Sequence, residues 1–320
     1  MRVAILGCAH MHVQSYVNSL KALDVEIIGL SDNDMDSGKN FCIKNDIKFY
    51  EDVNNLLDLK PDAVIVTSEN SLHKYYSLKA AEHNCHIILE KPIATNEEDA
   101  VEIIHCAKIH GVKLMICFPV RYSNPIKELK KSLSSIGDIR SIVATNHGSM
   151  PGGWFVEKDL SGGGSVIDHT VHVADIIHWF LDLKVKKVYS VMDTLFHDLD
   201  VEDSGLILIE FENGAIASID TSWNRPKSYP AWGDVVLDFH GTKDSIRVDA
   251  FSERGMLYRD ELGKPIHYNF GSDMDFEMIK DFVDAIENDK PSPVTGEDGL
   301  YALKIALIAY DFNEKEAIGY

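Results

Sequence analysis

Residues 2–12 read RVAILGCAHMH, an apolar run followed at once by a glycine turn. From Val13 onward the pattern becomes helical, so the stretch predicts a strand, a tight turn and the start of a helix. That order opens a dinucleotide-binding Rossmann fold, whose turn reads G-x-G-x-x-G. Of the three glycines only Gly7 is present, with Ala9 and His12 at the other two positions. The motif by itself is therefore weak evidence for a dinucleotide site.

The sequence around this turn strengthens the interpretation, because short apolar runs alternate with amphipathic stretches up to about residue 120. The apolar runs predict strands at Arg2–Leu6, Glu26–Leu30, Ala63–Val66, His86–Leu89 and Lys113–Cys117. The amphipathic stretches predict helices at Val13–Leu23, Asp36–Asn45, Asp52–Leu57, His73–Asn84 and Asn96–His110. Strands that are apolar on both faces and separated by helices predict a doubly wound parallel sheet.

An acidic residue, Asp32, follows the second predicted strand, about 20 residues beyond the glycine turn, where Rossmann proteins bind the ribose hydroxyls. A carboxylate at this place repels the 2′-phosphate of NADP, and no arginine stands next to Asp32 to compensate. The sequence therefore predicts NAD in preference to NADP. The alternative for Asp32 is a purely local role as a helix cap or a solvated loop acid.

After about residue 120 the pattern changes. One strong helix, Ser165–Phe180, is followed by strands without helices between them, at Val185–Val191, Gly205–Phe211, Ala215–Ser222, Val235–His240 and Ser245–Val248. The sequence thus predicts an α/β protein with a Rossmann domain at 1–120 and, at 121–320, an α/β domain with an open, mostly antiparallel sheet. Two closing helices, within about 275–312, are assigned to the second domain.

Composition excludes several classes of protein. The 320 residues carry a net charge of −20, which disfavours binding to nucleic acid and to anionic membrane surfaces. The five cysteines lack paired C-x-x-C spacing, so neither a disulfide framework nor a zinc ribbon is predicted. The chain begins directly with a strand and has no apolar run long enough to span a bilayer. These features predict a soluble protein of the reducing cytoplasm.

Two segments carry candidate reacting groups. Glu90-Lys91-Pro92 follows the fourth predicted strand, and ligands of doubly wound sheets bind at the carboxyl ends of strands. The Lys91 amine can donate a hydrogen bond there to a substrate oxygen or a nicotinamide amide, unless it is an ordinary solvated lysine.

The second segment is a run of three glycines, 162–164, followed by a helix on which Asp168, His172 and Asp175 share one face. An acid beside a histidine raises the pKa of the imidazole and orients the ring. His172 is therefore predicted to carry the proton of an alcohol, with a structural histidine as the alternative.

These segments resemble the glucose–fructose oxidoreductase, inositol dehydrogenase and rhizopine catabolism (Gfo/Idh/MocA) family over essentially the whole chain. The most specific parts are Glu90-Lys91-Pro92 and the segment from Gly162 to Asp175. Supporting parts are Asn70–His73, Arg121-Tyr122 with Pro125, and the closing Gly296–Gly299. The glycine turn departs from the family, since Ala9, His10 and His12 replace its usual small residues.

The resemblance implies an NAD(P)-dependent oxidoreductase that transfers a hydride between a nicotinamide cofactor and a sugar, inositol or related polyol. It implies that Lys91 and Asp168 position the substrate hydroxyl and the nicotinamide, and that His172 takes or gives the proton. The expected cofactor contacts are Gly7, Ala9, His10, Met11, His12, Asp32, Thr67, Asn70, His73, Glu90 and Lys91. In this family the open sheet commonly mediates homodimers or homotetramers.

A substrate with many hydroxyl groups suits aromatic rings, a guanidinium group and polar side chains. The residues expected to contact it are Arg121, Tyr122, Trp154, Phe155, Asp168, His169 and His172.

Two other functions are compatible with parts of the sequence. His10-Met11-His12 resembles the H-x-H of metal-dependent amidohydrolase barrels, although the chain lacks eight βα units. In a milder form of this alternative, a Rossmann enzyme binds a metal through His10, His12, His169 and His172. The other function is a non-catalytic sensor that retains a dinucleotide, and the presence of Lys91, Asp168 and His172 argues against it.

Overall fold

The computed structural model describes residues 1–229, 231–271 and 273–315. In chain order its strands are β1 (Arg2–Leu6), β2 (Glu26–Ser31), β3 (Ala63–Val66), β4 (His86–Leu89), β5 (Leu114–Ile116), β6 (Ile139–Gly148), β7 (Val185–Asp193), β8 (Ser204–Phe211), β9 (Ile216–Ser222), β10 (Gly233–Gly241), β11 (Ser245–Asp249), β12 (Arg254–Leu257) and β13 (Ile266–Asn269). Its α-helices are α1 (Val13–Ala22), α2 (Met35–Asn45), α3 (Val53–Leu57), α4 (His73–Glu82), α5 (Glu97–Ile109), α6 (Asn124–Ser132), α7 (Lys158–Ser161), α8 (Ser165–Leu181), α9 (Met274–Glu287) and α10 (Gly296–Lys315).

One compact unit comprises residues 1–118, 159–162 and 275–303. Its sheet has five parallel strands in the order β2-β1-β3-β4-β5. Every residue of β3 and β5 is buried, which explains why these strands are apolar on both faces. The order changes direction at β1, so the loops after β1 and β3 begin at the crevice where open sheets bind ligands. The predicted doubly wound Rossmann sheet is confirmed.

The other compact unit comprises the described residues of 119–158, 163–274 and 304–315. Its main sheet has six strands in the order β11-β10-β6-β9-β8-β7. Every neighbouring pair is antiparallel except β6 and β9, which run parallel. The open, mostly antiparallel sheet is thus confirmed. The domain limits of 1–120 and 121–320 stay a prediction. The structure groups residues 275–303, which include most of α9, with the first unit.

The strand β6 was not predicted from the sequence, although it pairs with two others near the middle of its sheet. Its residues alternate in burial, with Ile142, Ala144 and Asn146 buried and Val143 exposed. The inner face includes a buried amide, whose Nδ2 donates to the Asp234 carbonyl at 3.0 Å. Mixed polarity on both faces therefore hides the two-residue period that marks a strand.

On one face of this sheet, the neighbouring strands β7 and β8 carry a group of exposed apolar side chains. Helix α8 packs against β6, β8 and β9. The exposed large apolar side chains of the sheet are Val143, Tyr189, Val191, Leu206, Leu208 and Ile216. The register pairs Tyr189 with Leu208, and Val191 with Leu206. Cross-strand neighbours of this kind make a continuous apolar surface rather than isolated exposed residues.

A charged cluster lies on β6, β9 and β10 of the second unit. The His147 ring is 3.2 Å from the Asp220 carboxylate through Nε2 and 3.4 Å from the Asp234 carboxylate through Nδ1. Arg225 also pairs with Asp234. Burial lowers the pKa of His147, but hydrogen bonds to the two carboxylates outweigh it and raise the pKa to about 9. His147 is therefore a cation in the folded protein at neutral pH.

We expect the free energy of unfolding to fall by on the order of 1–2 kcal/mol between pH 6.5 and pH 9 because of His147. At pH values below the pKa of His147 in the unfolded chain, the folded and the unfolded protein both bind the proton, so the full stabilisation by the charged ring is present. It is lost as the pH rises through the folded value of about 9. Urea denaturation at several pH values measures it. The His147→Gln variant should lose this part of the pH dependence, whereas His240→Gln, at an exposed site on β10, should keep it. Equal pH profiles for wild type and His147→Gln would contradict the assignment.

Among the residues described, no helix combines the length and the apolar character that crossing a bilayer requires.

Candidate active site

The turn between β1 and α1 fits a dinucleotide at its first glycine. Gly7 has a φ of +83°. A Cβ at this residue would lie 2.5 Å from the Ser68 Cα. The Gly7 N–H donates to the Ser31 carbonyl at 2.8 Å, and the Thr67 hydroxyl donates to the Gly7 carbonyl at 2.6 Å. The chain can therefore pass close to the neighbouring strand ends and present the start of α1, as pyrophosphate binding requires.

The rest of the turn contains side chains instead of glycines. His12 is the N-cap residue of α1, and its side chain is 31% exposed. Met11 is 49% exposed, whereas His10 is buried and its N–H donates to the Thr67 carbonyl at 3.0 Å. The predicted cofactor residues Ala9, His10, Met11 and His12 thus lie together in one short loop.

The carboxylate of Asp32 accepts hydrogen bonds from two backbone segments. One oxygen accepts the Cys8 N–H at 2.6 Å and the other accepts the Asp34 N–H at 2.7 Å. Asp32 is 5% exposed. Asp32 therefore has a local role, but neither of the two expected ones, because Asp34 caps α2 and Asp32 is buried rather than solvated. This role does not exclude a ribose contact, because each carboxylate oxygen has a second lone pair.

Glu90 is the centre of a buried polar cluster in the first unit. Its Oε1 accepts a hydrogen bond from the Tyr16 hydroxyl at 2.5 Å. The same oxygen lies 3.2 Å from Nδ1 of His10 and 3.5 Å from Nδ1 of His12. Burial alone would raise the pKa of Glu90, but the two imidazoles and the tyrosine hold it well below its usual range. Glu90 is therefore a carboxylate although it is fully buried.

Lys91 follows this carboxylate at the carboxyl end of β4 and is 5% exposed. Its backbone N–H donates to Oε2 of Glu90 at 3.1 Å. A lysine buried at this edge of the sheet is unlike the solvated lysine that was the alternative for this position.

The other predicted cofactor residues bind the backbone around the same strand ends. Nδ1 of His73 contacts the Pro92 carbonyl at 2.8 Å, and burial lowers the pKa of this imidazole to about 4. The Asn70 amide donates to the Ser161 carbonyl at 2.8 Å. His73 is thus neutral at physiological pH, and both residues hold loops in position whether or not they contact a cofactor.

Helix α8 of the second unit begins in a crowded place, which explains its glycines. A Cβ at Gly164 would collide with the backbone carbonyl oxygen of Glu202, and a Cβ at Gly163 would collide with the Tyr310 hydroxyl. Gly164 also has no side chain to cap the helix. The Glu202 carboxylate supplies the cap, accepting the N–H groups of Gly164 at 2.9 Å and Val166 at 3.0 Å. Close approach thus requires glycine at residues 163 and 164, whereas Gly162 has a φ of +85°, which favours glycine by itself.

Sequence reasoning missed Glu202 and Tyr310, which together hold the start of α8. The Tyr310 hydroxyl donates to Oε1 of Glu202 at 2.7 Å and accepts the Ile167 N–H at 3.3 Å. Burial raises the pKa of Glu202 although these hydrogen bonds oppose it. The glycine run signalled a close approach, but nothing local to Glu202 or Tyr310 marks either as its partner.

The predicted polar residues of α8 are placed as follows. Asp168, in the first turn, accepts a hydrogen bond from Nε1 of Trp223 at 3.3 Å. Nε2 of His169 lies 3.3 Å from the same carboxylate, and its Nδ1 contacts the Asn146 carbonyl at 2.9 Å. His172 lies one turn beyond Asp168 and is 6% exposed. The carboxylate is thus oriented by its neighbours, as a group that positions a substrate must be.

Asp175, the third polar residue predicted on one face of α8, forms an ion pair with Arg121. The guanidinium of Arg121 donates to both of its oxygens, at 2.7 and 2.5 Å, and both side chains are buried. This bidentate pair joins α8 to the segment Pro119–Tyr122. Arg121 therefore has a structural role, and its predicted substrate contact stays a prediction.

Of the aromatic residues expected near the substrate, Tyr122 is buried with the Lys127 ammonium 5.3 Å from its ring centroid. Trp154 is half-buried and stacks on Phe155 with ring centroids 3.9 Å apart. Their contacts with substrate also stay predictions.

Two family models match the chain. One, described as an oxidoreductase family with an NAD-binding Rossmann fold, matches residues 1–118. The other, the GFO/IDH/MocA C-terminal domain, matches residues 127–247. The chain belongs to the Gfo/Idh/MocA family. The resemblance inferred from Glu90-Lys91-Pro92 and the α8 segment is confirmed.

Individual relatives of this Gfo/Idh/MocA protein match it along nearly its whole length. An uncharacterized oxidoreductase of Bacillus subtilis, YrbE, is 28% identical over 317 residues, which cover 93% of this chain and 89% of the relative. Myo-inositol 2-dehydrogenase of Thermotoga maritima is 25% identical, with 97% and 95% covered. The fold is similar to the crystal structure of GenD2 from gentamicin A biosynthesis in complex with NAD, with a TM-score of 0.88, 20% identity, and 98% and 94% covered.

The Gfo/Idh/MocA protein is therefore an enzyme, an oxidoreductase with an NAD-binding Rossmann domain. The alternative of a metal-dependent barrel hydrolase receives no support, because the sheet that follows His10 and His12 is open and has five strands. Nothing in the comparisons supports a non-catalytic sensor.

Proposed function

We propose that the protein transfers a hydride between NAD and a carbon atom that bears a hydroxyl group, in a sugar, inositol or related polyol. The observation that carries the proposal is Lys91, which is buried beside a carboxylate at the ligand-binding edge of a Rossmann sheet. The relative from Thermotoga maritima, named for its action on myo-inositol, supports this class of substrate.

The residues of the first unit fit the cofactor. We assign the diphosphate to the turn of Gly7 and residues 9–12, and the adenosine ribose to Asp32. Thr67, Asn70 and His73, with Glu90 and Lys91, are assigned to the edge of the site for the nicotinamide half. When bound, the nicotinamide ring supplies the acceptor or donor of the hydride.

The chain's own residues perform the proton transfer. The Lys91 ammonium donates a hydrogen bond to the substrate oxygen, and Asp168 orients the substrate through its hydroxyl groups. A ring nitrogen of His172 takes the hydroxyl proton as the C–H bond breaks, so the carbon is oxidised to a carbonyl. In reduction His172 returns that proton to the oxygen. Tyr122, Trp154 and His169 are proposed to contact the rest of the substrate.

A panel of sugars, inositols and other polyols, monitored for NADH formation, tests the proposed function. With the best substrate, we expect His172→Ala to lower kcat by roughly a hundredfold or more, the usual cost of a lost general acid–base group. The matched control is His178→Ala, a histidine on the same helix that faces Asp182 instead. It should keep wild-type kinetics.

A loss below tenfold in His172→Ala would remove this histidine from the reaction. A panel in which no polyhydroxy compound yields NADH, and no ketose or inosose consumes it, would refute the substrate class.

NAD is the proposed cofactor in preference to NADP. Asp32 is buried at the end of β2, where its negative charge would oppose a 2′-phosphate. We expect NADH to bind at least tenfold more tightly than NADPH when binding is followed by quenching of protein fluorescence. The Asp32→Ser variant should narrow this ratio, and tighter binding of NADPH by the wild type would refute the preference.

A homodimer or homotetramer is proposed from the open face of the six-stranded sheet. Its exposed Tyr189, Val191, Leu206 and Leu208 are neighbours across β7 and β8, and a second copy would bury them. Sedimentation velocity measures the oligomeric state. The five free thiols fit the cytoplasm as the proposed location.

A further inference from the structure

The glycine turn contains a side-chain cluster that a dinucleotide site does not require. His10, His12 and Glu90 each offer one ligand atom, and the three atoms all lie within 4.8 Å of one another. Nδ1 of His10 lies 3.2 Å from Oε1 of Glu90, and Nδ1 of His12 lies 3.5 Å from the same oxygen. Imidazole nitrogen and carboxylate oxygen are common ligands of zinc.

These separations match the dimensions of a zinc site. At metal–ligand distances of about 2.0–2.1 Å, two ligand atoms of a tetrahedral ion lie about 3.3 Å apart. The two measured separations lie within a few tenths of an ångström of that value. The ligand atoms of His10 and His12 lie within 4.8 Å of each other, so the two rings must approach by at most about 1.5 Å to bind one ion.

The hydrogen bonds around His10 also favour a cation between these atoms. Its Nδ1 has one lone pair, which in the metal-free protein accepts the His12 N–H in a long and therefore weak bond of 3.4 Å. A metal ion would take that lone pair instead, so binding would cost only this weak hydrogen bond. The same nitrogen lies 3.2 Å from Oε1 of Glu90, and a cation between the two atoms would be attracted by both.

The surroundings of the cluster meet two further requirements of a metal site. The Tyr16 hydroxyl donates a hydrogen bond to Oε1 of Glu90, and the backbone N–H of Lys91 donates to Oε2. Groups that are not ligands therefore orient the carboxylate. His10 and Glu90 are buried, whereas the His12 side chain is 31% exposed and leaves a path from solvent.

We propose that His10, His12 and Glu90 form a binding site for a divalent transition-metal ion such as Zn²⁺, with water as the fourth ligand. Two of the three ligands lie in the turn that joins β1 to α1 and the third follows β4, so a bound ion would tie this turn to the end of β4. The proposal goes beyond hydride transfer and does not depend on it, because the ligands alone define the site.

Titration calorimetry with zinc sulfate, on full-length protein first treated with a chelator and dialysed, tests the site without cofactor or substrate. We expect one ion per chain. His12→Ala should weaken binding by about a hundredfold or more, and Tyr16→Phe, which removes only the orienting hydroxyl, by about tenfold. His105→Ala, at an exposed position on α5, should bind as the wild type does. Cobalt(II) in place of zinc should give the visible absorption of a tetrahedral site, and His12→Ala should abolish it.

Two results would overturn the proposal. One is absence of one-to-one binding in the wild type. The other is binding that His12→Ala and His10→Gln both leave unchanged, which would assign the zinc to other surface ligands. Melting curves of the metal-free variants exclude unfolding as the cause of a loss. Because the titration contains no nicotinamide cofactor, its failure would leave the oxidoreductase proposal intact, and a failed substrate panel would leave the metal site intact.

Discussion

Replacing Lys91 with methionine is expected to lower kcat/KM by roughly a thousandfold or more while the protein stays folded. Methionine keeps most of the apolar stem that lies buried beyond β4 but removes the ammonium group. In the proposed reaction that group donates to the substrate oxygen while charge develops on it. A hydrogen bond from a cation in a site with little water is among the strongest single contributions to such catalysis.

Steady-state kinetics on the best substrate of the panel, together with thermal melting, measure this effect. The matched control is Lys44→Met, an exposed lysine on α2 of the same unit, which should retain full activity. Wild-type kcat/KM in Lys91→Met would remove the amine from the mechanism. A loss of activity accompanied by a drop in melting temperature of many degrees would instead assign Lys91 a structural role.

Gly164→Ala is expected to destabilise the second unit by about 3 kcal/mol or more and to lower the melting temperature by roughly 10 °C. The added methyl group meets the backbone carbonyl of Glu202, which cannot rotate away as the end of a side chain can. Separating the two segments would also break the cap at Gly164 and Val166. The variant should lose activity as well, since α8 carries Asp168 and His172.

Two comparisons isolate the cause. Gly214→Ala, where nothing lies within 4 Å of the added Cβ, should cost only the strain of its φ of +83°, about 1 kcal/mol. Gly163→Ala meets the end of the Tyr310 side chain rather than backbone, so it should destabilise the protein less than Gly164→Ala does. Equal melting temperatures for Gly164→Ala and wild type would show that the close approach is not needed.

Local sequence patterns predicted the parts of the site that lie within one short segment. The Gly7 turn, Lys91 after a buried strand, and Asp168 with His172 on one helical face could each be recognised from residue type and spacing. Whether they act as assigned stays a prediction. What each side chain contacts was not predictable, because hydrogen bonds such as Arg121 to Asp175 join residues distant in sequence.

The same limit applies to the fold. Strands β1 and β3 begin and end as predicted. A short run that is apolar on both faces is typical of a strand inside a parallel sheet, where helices cover both faces. Strand β6 was missed because a polar residue, Asn146, stands at one of its buried positions. The hydrogen bond that makes this burial possible goes to another strand, so the sequence of β6 does not show it.

By itself, the sequence determined the α/β fold class, the family and the segments that are predicted to carry the chemistry, because hydrophobic period and short motifs depend on neighbouring residues. Only the tertiary structure decided that Glu90 gathers Tyr16, His10 and His12 around it, and that Glu202 and Tyr310 hold the start of α8. These contacts join segments far apart in the chain. A buried charge or an uncapped helix end needs a partner, but nothing in the local sequence says which distant residue the folded chain will supply.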